Sequence, residues 1–330
     1  MSSFFSAQIP KKPILVKKNI TLRKESCLTF FSIVRIIIYD LIIMKGNYPM
    51  KTLGYYNGEI GELEELRVPM LDRACYFGDG VYDVVYTRNH KPYALREHID
   101  RLYASMAFLN IHLDMKPDDL EILIRELIKK VDADEQNVYF QVSRGTALRD
   151  HAVKERMSAN LWIMLKPMPI RDTYKKIDLI TLEDKRFLYC NMKTLNLIPA
   201  VLYSTAVESG GYDEAVLHRN GRVTECAHSN LSILKNGVLH TAPADEYILA
   251  GIGRAHLIRK CKAFGIPVKE EPFTLEEMLE ADEIIVTSAG SLCIAAKTVD
   301  GKAVGGKAPA LLKRLQDSLM EDYFRATEKE

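Results

Sequence analysis

Three Asn-Gly dipeptides, Asn57-Gly58, Asn220-Gly221 and Asn236-Gly237, constrain this 330-residue chain more than any other feature, because each specifies a tight β-hairpin turn. Such a turn needs positive φ at both central residues, which Asn tolerates and Gly adopts without a Cβ penalty. Short strands at 53–56 and 59–62 flank the first, and a second hairpin is expected from 81–86 and 91–94 around Arg88-Asn89-His90. Ile99, Leu102, Met106 and Leu109 recur at three- and four-residue spacing, which predicts an amphipathic helix over 96–109. A further helix at 118–131 and strands at 137–144 and 160–166 complete an α+β pattern, helices against an antiparallel sheet.

Pro167, Pro169 and the polar run to Lys176 interrupt this periodicity. Residues 50–168 are therefore expected to form a smaller α+β domain, 169–176 a linker, and 177–330 a larger domain. In the latter, strands at 177–182, 214–218, 231–234, 238–241 and 283–287 alternate with helices at 195–209, 253–264 and 275–280, an α/β pattern. With 47% apolar and 27% charged residues, the chain has enough material for two cores and no sign of disorder in its bulk.

Residues 1–49 read differently. They hold eight Lys or Arg against Glu25 and Asp40, a net of +6, so the rest of a chain with formal charge +1 carries −5. A mildly acidic body offers no broad basic face, and nucleic acid is not an expected partner. The apolar stretch 28–44 is 17 residues long and contains Arg35 and Asp40, so a spanning helix is not expected. An interfacial helix stays open as an alternative, and Met50, which opens the regular strand-and-turn pattern, is the expected natural start. The six cysteines form no C-x-x-C pair and the histidines no ligand spacing, so neither a disulfide framework nor a metal site is expected, and a reducing cytoplasm fits.

The candidate chemistry centres on Lys193 in Asn191-Met192-Lys193-Thr194-Leu195-Asn196-Leu197. A lysine amine withdrawn from water loses part of its preference for the charged form and becomes a nucleophile toward carbonyls. Read alone it is equally a lysine whose ammonium snorkels to the surface. Glu225 closes the strand Val223-Thr224-Glu225, either as a plain strand-end acid or as the partner of a ring nitrogen. Gly251-Ile252-Gly253-Arg254 stands at a helix start, where unpaired N–H groups and the helix dipole favour an anion, and Thr287-Ser288-Ala289-Gly290-Ser291 follows a strand in the same way. Arg101 could reach a phosphate with a bidentate fork or make a surface ion pair; Arg149 and His151 could trap a carboxylate or form a basic loop.

These pieces together resemble the class IV (fold type IV) pyridoxal-phosphate-dependent aminotransferases, and among them the bacterial D-amino acid aminotransferases. The resemblance runs from about Leu53 to about Leu319. It is carried by Tyr76-Phe77-Gly78-Asp79-Gly80-Val81-Tyr82, Glu97-His98-Ile99-Asp100-Arg101-Leu102-Tyr103-Ala104-Ser105, Tyr139-Phe140-Gln141-Val142 running into Arg149-Asp150-His151, Lys193-Thr194-Leu195-Asn196-Leu197, and Val223-Thr224-Glu225. It implies a two-domain fold of that type, pyridoxal 5'-phosphate as cofactor, Lys193 as the Schiff-base lysine and Glu225 as the partner of the pyridinium nitrogen. Arg101, Ile252, Gly253, Ser288 and Ala289 match the phosphate cradle.

Arg149, His151 and Tyr82 look like the substrate-carboxylate trap of the D-specific enzymes. The implied activity is ping-pong transfer of an amino group from D-alanine and other D-amino acids to 2-oxoglutarate or another 2-oxo acid. Alternatives are a branched-chain L-amino acid aminotransferase, an aminodeoxychorismate lyase of the same fold, and a cofactor-binding protein without transaminase activity. The resemblance also implies a homodimer with a shared active site. Departures stand at Cys226-Ala227-His228, Gly253, Ala289 and Gly290, where the family has glycine or hydroxyl residues; each lost hydroxyl is expected to weaken phosphate binding by about 0.5–1.5 kcal/mol.

Overall fold

Asn57, Asn220 and Asn236 take φ of 47°, 50° and 53°, and the glycine after each is also positive, so all three predicted turns form as expected. The computed structural model describes residues 51–329, which fall within one compact unit; the predicted extension 1–49 and its apolar stretch lie outside the described residues. Among the described residues no helix is long and apolar enough to cross a membrane.

Strands β1 (Leu53–Tyr56), β2 (Glu59–Gly61), β3 (Gly80–Arg88), β4 (Lys91–Pro92), β5 (Gln136–Ser143) and β6 (Asn160–Pro167) make an antiparallel sheet in the order β2-β1-β6-β5-β3-β4. Helix α1 (Arg73–Phe77) precedes β3, while α2 (Leu95–Phe108) and α3 (Pro117–Ile128) separate β4 from β5. Val81, Val85, Val138 and Phe140 pack on Ile99, Leu102, Leu120 and Ile124 in one apolar cluster. Because side chains alternate along a strand, Tyr82, Val84 and Tyr86 are left on the other face of β3.

The second sheet holds β7 (Ile177–Glu183), β8 (Glu214–Arg219), β9 (Arg222–Cys226), β10 (Asn230–Lys235), β11 (Val238–Thr241), β12 (Val268–Glu270), β13 (Glu283–Thr287), β14 (Ile294–Val299) and β15 (Lys302–Ala303). Its order is β12-β11-β10-β13-β14-β7-β8-β9, with β15 on β14, and the pairs β11–β12, β14–β7 and β7–β8 are parallel. The helices are α4 (Ile198–Gly210), α5 (Ile252–Ala263), α6 (Leu275–Leu279) and α7 (Pro309–Ala326). Every residue of β13 is buried: Ile284 and Val286 join Leu179 and Phe273, and Ile285 joins Leu257, Cys261 and Leu315. A strand covered on both faces reads as the apolar run Ile284-Ile285-Val286.

Three differences from the sequence reading have physical causes. The helix after Lys193 starts at Ile198 rather than 195, because Pro199 suits only a first turn and residues 194–195 pair with β3 instead. The predicted linker carries no helix or strand over 168–176, yet it is tied to the loop after β13 by Arg171 N–H to Gly290 O (2.7 Å) and Thr173 Oγ1 to Ser291 O (2.8 Å). Finally, β14 and α7 had no counterpart among the predicted elements. The end of α7 is fastened to the first sheet by Tyr323, whose hydroxyl donates to Thr87 O, and by Asn89, whose amide donates to Thr327 O.

Candidate active site

A cavity of about 950 Å³ is lined by residues of both sheets, with Tyr82, Val84 and Tyr86 from the alternating face of β3 and Asn137 from β5. Lys193 reaches it because its segment lies directly against the start of β3. Tyr82 N–H donates to Lys193 O (2.9 Å), Leu195 N–H to Gly80 O (3.1 Å), and Val81 bridges Thr194. Gly80 makes that approach possible: a Cβ there would lie 2.6 Å from Val142 O and 2.8 Å from Leu195 Cδ1. The Lys193 Nζ is 4.4 Å from the centroid of the Tyr82 ring, which itself stacks on Tyr139. The sequence placed Lys193 among buried residues. The structure leaves it half-buried, with Met192 buried but Asn191, Asn196 and Leu197 exposed, since the segment forms the cavity wall.

Glu225, on β9, is buried and turned into the same cavity. Arg186 donates to its Oε1, while Asn230 Nδ2 (2.8 Å) and Leu249 N–H (3.1 Å) donate to Oε2. Burial pushes its carboxyl up to about 7, against the opposing pull of Arg186, the Leu249 N–H and Lys193. Arg186 is gripped in turn by buried Asp184 (Nη2 to Oδ2, 2.9 Å), which also receives Arg219 (3.2 Å). Neither Arg186 nor Asp184 was singled out from sequence. Arg186 meets Glu225 across 39 residues, and no local pattern marks that meeting.

The candidate anion cradle lies where α5 begins. Its N-cap is Gly251, which supplies no side-chain acceptor, so the first-turn N–H groups of Ile252 and Gly253 are left without a cap. Gly253 sits against the loop after β13: a Cβ on it would lie 3.2 Å from Ser288 O and 3.3 Å from Ser288 N. Thr287 Oγ1, buried at the cavity wall, has no hydrogen-bond partner within the chain. An orphaned buried hydroxyl costs about 1–3 kcal/mol until something pairs with it. Ser288 Oγ is engaged with Ser291 Oγ (2.7 Å).

Arg101 lines the cavity, but its fork is already engaged. Nε and Nη2 both meet Asp83 at 2.8 Å, and Nη1 reaches Ala250 O at 3.2 Å beside the start of α5. Asp83 is on the buried face of β3 and also holds His98 Nδ1 (2.7 Å); although burial would raise its carboxyl, Arg101 and His98 hold it well below the usual range. Of the two alternatives open from sequence, a fork free for phosphate or an ion pair, the structure shows Arg101 in an ion pair, with buried Asp83.

Arg149 and His151 are both exposed. His151 lines the cavity with its ring 4.8 Å from that of Phe77, whereas Arg149 lies over the Phe77 ring at 5.0 Å and does not line the cavity. Within one chain the structure therefore brings Tyr82 and His151 to the cavity and leaves Arg149 out of its lining. Among the described residues no cluster of His, Cys, Asp or Glu could hold a metal ion.

A family model described as amino-transferase class IV matches residues 80–299. The D-alanine aminotransferase of Listeria monocytogenes is 37% identical over 277 residues, 82% of this chain and 96% of that protein. That of Bacillus licheniformis is 34% identical over 283 residues, 85% and 99%. Among solved structures, the branched-chain amino acid aminotransferase from Escherichia coli has a TM-score of 0.76 at 24% identity, covering 85% of this chain and 97% of that one. The branched-chain aminotransferase from Thermoproteus uzoniensis, solved with norvaline, has a TM-score of 0.75 at 19% identity, covering 83% and 97%. At those identities the structural likeness is one of fold.

Proposed function

Starting from the fact that this chain belongs to the class IV aminotransferase family, we propose that it is a D-amino acid transaminase that uses pyridoxal 5'-phosphate to move an amino group from D-alanine and other D-amino acids to a 2-oxo acid. The observation that carries the reading is one cavity in which Lys193 Nζ stands over Tyr82 and which buried Glu225 and His151 both line. The similarity to D-alanine aminotransferases supports the D-specific side.

The residues present fit the cofactor. Thr287 Oγ1 lacks a partner, the first turn of α5 is uncapped, and the closeness of Gly253 to Ser288 packs two backbone donors into one concave site. Ile252, Gly253, Ser288 and Ala289 would hold the phosphate through their backbone N–H groups, with Arg101 lining the same cavity. The missing hydroxyls at Gly253 and Ala289 are offset in part by Thr287.

When bound, the cofactor supplies an aldehyde that bonds amines and a ring that accepts electrons from the substrate Cα. Lys193 would be the residue that holds the cofactor, and its amine, placed at the cavity wall, would serve as the base toward a substrate Cα proton. Glu225, its two oxygens fixed by Arg186, Asn230 and the Leu249 N–H, would be the carboxylate that pairs with the cofactor's ring nitrogen. Tyr82, His151 and Arg149 bind the substrate carboxylate and so decide which face of Cα meets Lys193.

A homodimer belongs to the same proposal. Phe187, Leu188, Tyr189, Ile198, Val201 and Leu202 are all half or more exposed, and they flank the Lys193 segment. Large apolar side chains in that number ask for cover. A second copy there would also supply Arg149, which its own chain leaves outside its cavity.

The test is spectroscopic. Cofactor-loaded protein is mixed with D-alanine or with L-leucine, each without an acceptor, and the visible band of the lysine-bound cofactor is followed. Loss of the band with D-alanine alone is expected; loss with L-leucine alone reassigns the chain to branched-chain chemistry, and absence of the band in saturated protein removes the transaminase reading. Lys193→Ala is expected to abolish turnover, and appreciable residual kcat would refute its assignment.

A further inference from the structure

Helices α2 and α5 pack on different sheets, and polar side chains join them behind the anion cradle. His256, on α5, is buried; its Nδ1 lies 2.9 Å from the Tyr93 hydroxyl and its Nε2 2.9 Å from Glu97 Oε1 on α2. Tyr93 stands just before α2, with its ring edge-on to the imidazole at 5.4 Å and to Tyr323 of α7 at 5.4 Å. Arg259 also reaches Glu97 (3.2 Å). Four residues further along α2, Arg101 Nη1 donates to Ala250 O (3.2 Å), a second link between α2 and the start of α5.

The partners of the imidazole settle where its proton sits. Burial lowers His256 below its ordinary value, with Arg259 and His98 pushing the same way and Glu97 opposing. Although burial would raise Glu97, His256 and Arg259 hold it below its ordinary value; burial, with Asp322 and Glu97, raises the Tyr93 phenol. An ionised Glu97 can only accept, so Nε2 carries the proton of a neutral ring and Nδ1 accepts from the Tyr93 O–H. Both ring nitrogens are used, and the ring cannot turn over without leaving them unpaired.

Ile252 and His256 are four residues apart on α5 and share one face of it. Tyr93 and His256 line a second, small cavity together with Ile252, Gly253, Ser288 and Ala289, the residues of the cradle. Its volume is about 10 Å³, room for on the order of one water molecule, so the first turn of α5 cannot shift far without breaking the clasp behind it.

We propose that His256 is a positioning residue for the cradle: clasped between Glu97 and Tyr93, it sets the first turn of α5 against α2, so that the Ile252 and Gly253 N–H groups and Arg101 face the same anion. The inference rests on the reading that this cradle takes the cofactor phosphate. Hydrogen bonds weaken steeply as the donor turns away from the acceptor, so a small rotation of α5 is enough to lower phosphate affinity.

Two titrations of cofactor-free protein test it, one with pyridoxal 5'-phosphate and one with pyridoxal, which has the aldehyde and the ring without the phosphate. The ratio of the two affinities reads the cradle alone. His256→Leu keeps bulk but neither hydrogen bond, and is expected to lower the ratio about tenfold while leaving pyridoxal binding unchanged. His256→Gln keeps one donor and one acceptor and is expected to restore most of the ratio. Tyr93→Phe removes a single hydroxyl and is expected to lower the ratio about threefold, a readout that stands even where His256→Leu does not fold. An unchanged ratio in these variants, equal losses for both ligands, or no recovery in His256→Gln overturns the proposal. A wild type that binds both ligands alike refutes the cradle reading itself, and the positioning role falls with it; a wild type that prefers the phosphate ester, with variants that prefer it equally, refutes the positioning role alone.

Discussion

Burial and charge act against each other on Glu225, and the balance is measurable. Its carboxyl lies at about 7 in the cofactor-free chain, against an ordinary value of 4.5. An acid whose folded value is raised binds more protons folded than unfolded, so its contribution is fully present below about 4.5 and is lost as pH rises to about 7. Glu225→Gln removes this titration. The stability of wild type relative to Glu225→Gln, from urea unfolding of cofactor-free protein, is expected to drop by on the order of 2–3 kcal/mol between pH 5 and pH 8; a flat difference would contradict the buried placement. Arg186→Met is expected to destabilise the chain by about 3–5 kcal/mol, because it removes the cation paired with buried Glu225 and leaves buried Asp184 with Arg219 alone. At this scale Lys193 and Glu225 were legible because each stands in a short characteristic run. Arg186 and Asp184 were not, because a partner 39 residues away leaves no local trace.

The elements divide along the same line. Hairpins were legible from Asn-Gly pairs, and helices α2 and α3 from their apolar spacing, because turn sterics and amphipathicity are local. The pairing of residues 194–195 with β3 was hidden, since it depends on a glycine more than a hundred residues earlier meeting Leu195. The start of α5 gives a sharper test. Gly251 has φ −69° and ψ 138°, which alanine tolerates, yet a Cβ would lie 1.9 Å from Asn230 Oδ1. Asn230 cannot yield without leaving Glu225 Oε2 and Leu249 O, both 2.8 Å from its Nδ2. Gly251→Ala is therefore expected to weaken cofactor binding at least about tenfold in a titration of cofactor-free protein, a loss of roughly 1.4 kcal/mol or more; unchanged affinity would mean that Asn230 does not position Glu225.

For the whole molecule, α4 presents Ile198, Val201 and Leu202 outward while Tyr203 and Val207 face its own sheet, so the helix is apolar on both sides. A helix of that kind is stable only when both sides are covered. Ile198→Glu with Leu202→Glu is expected to convert a dimer into a monomer in sedimentation and to cut transaminase activity by more than tenfold, about 1.4 kcal/mol in the barrier. A monomeric wild type, or a fully active monomeric variant, would exclude a shared site. The sequence by itself determined what depends on neighbours in the chain: the turns, the amphipathic helices, the two-sheet composition, and the family through its motif runs. Only the tertiary structure decided the burial of Glu225 against Arg186, the engagement of Arg101 by Asp83, and the absence of Arg149 from the lining of its own cavity. Each of these is set by which groups lie within a few ångströms after folding, and Coulombic and desolvation energies depend on that distance rather than on separation along the chain.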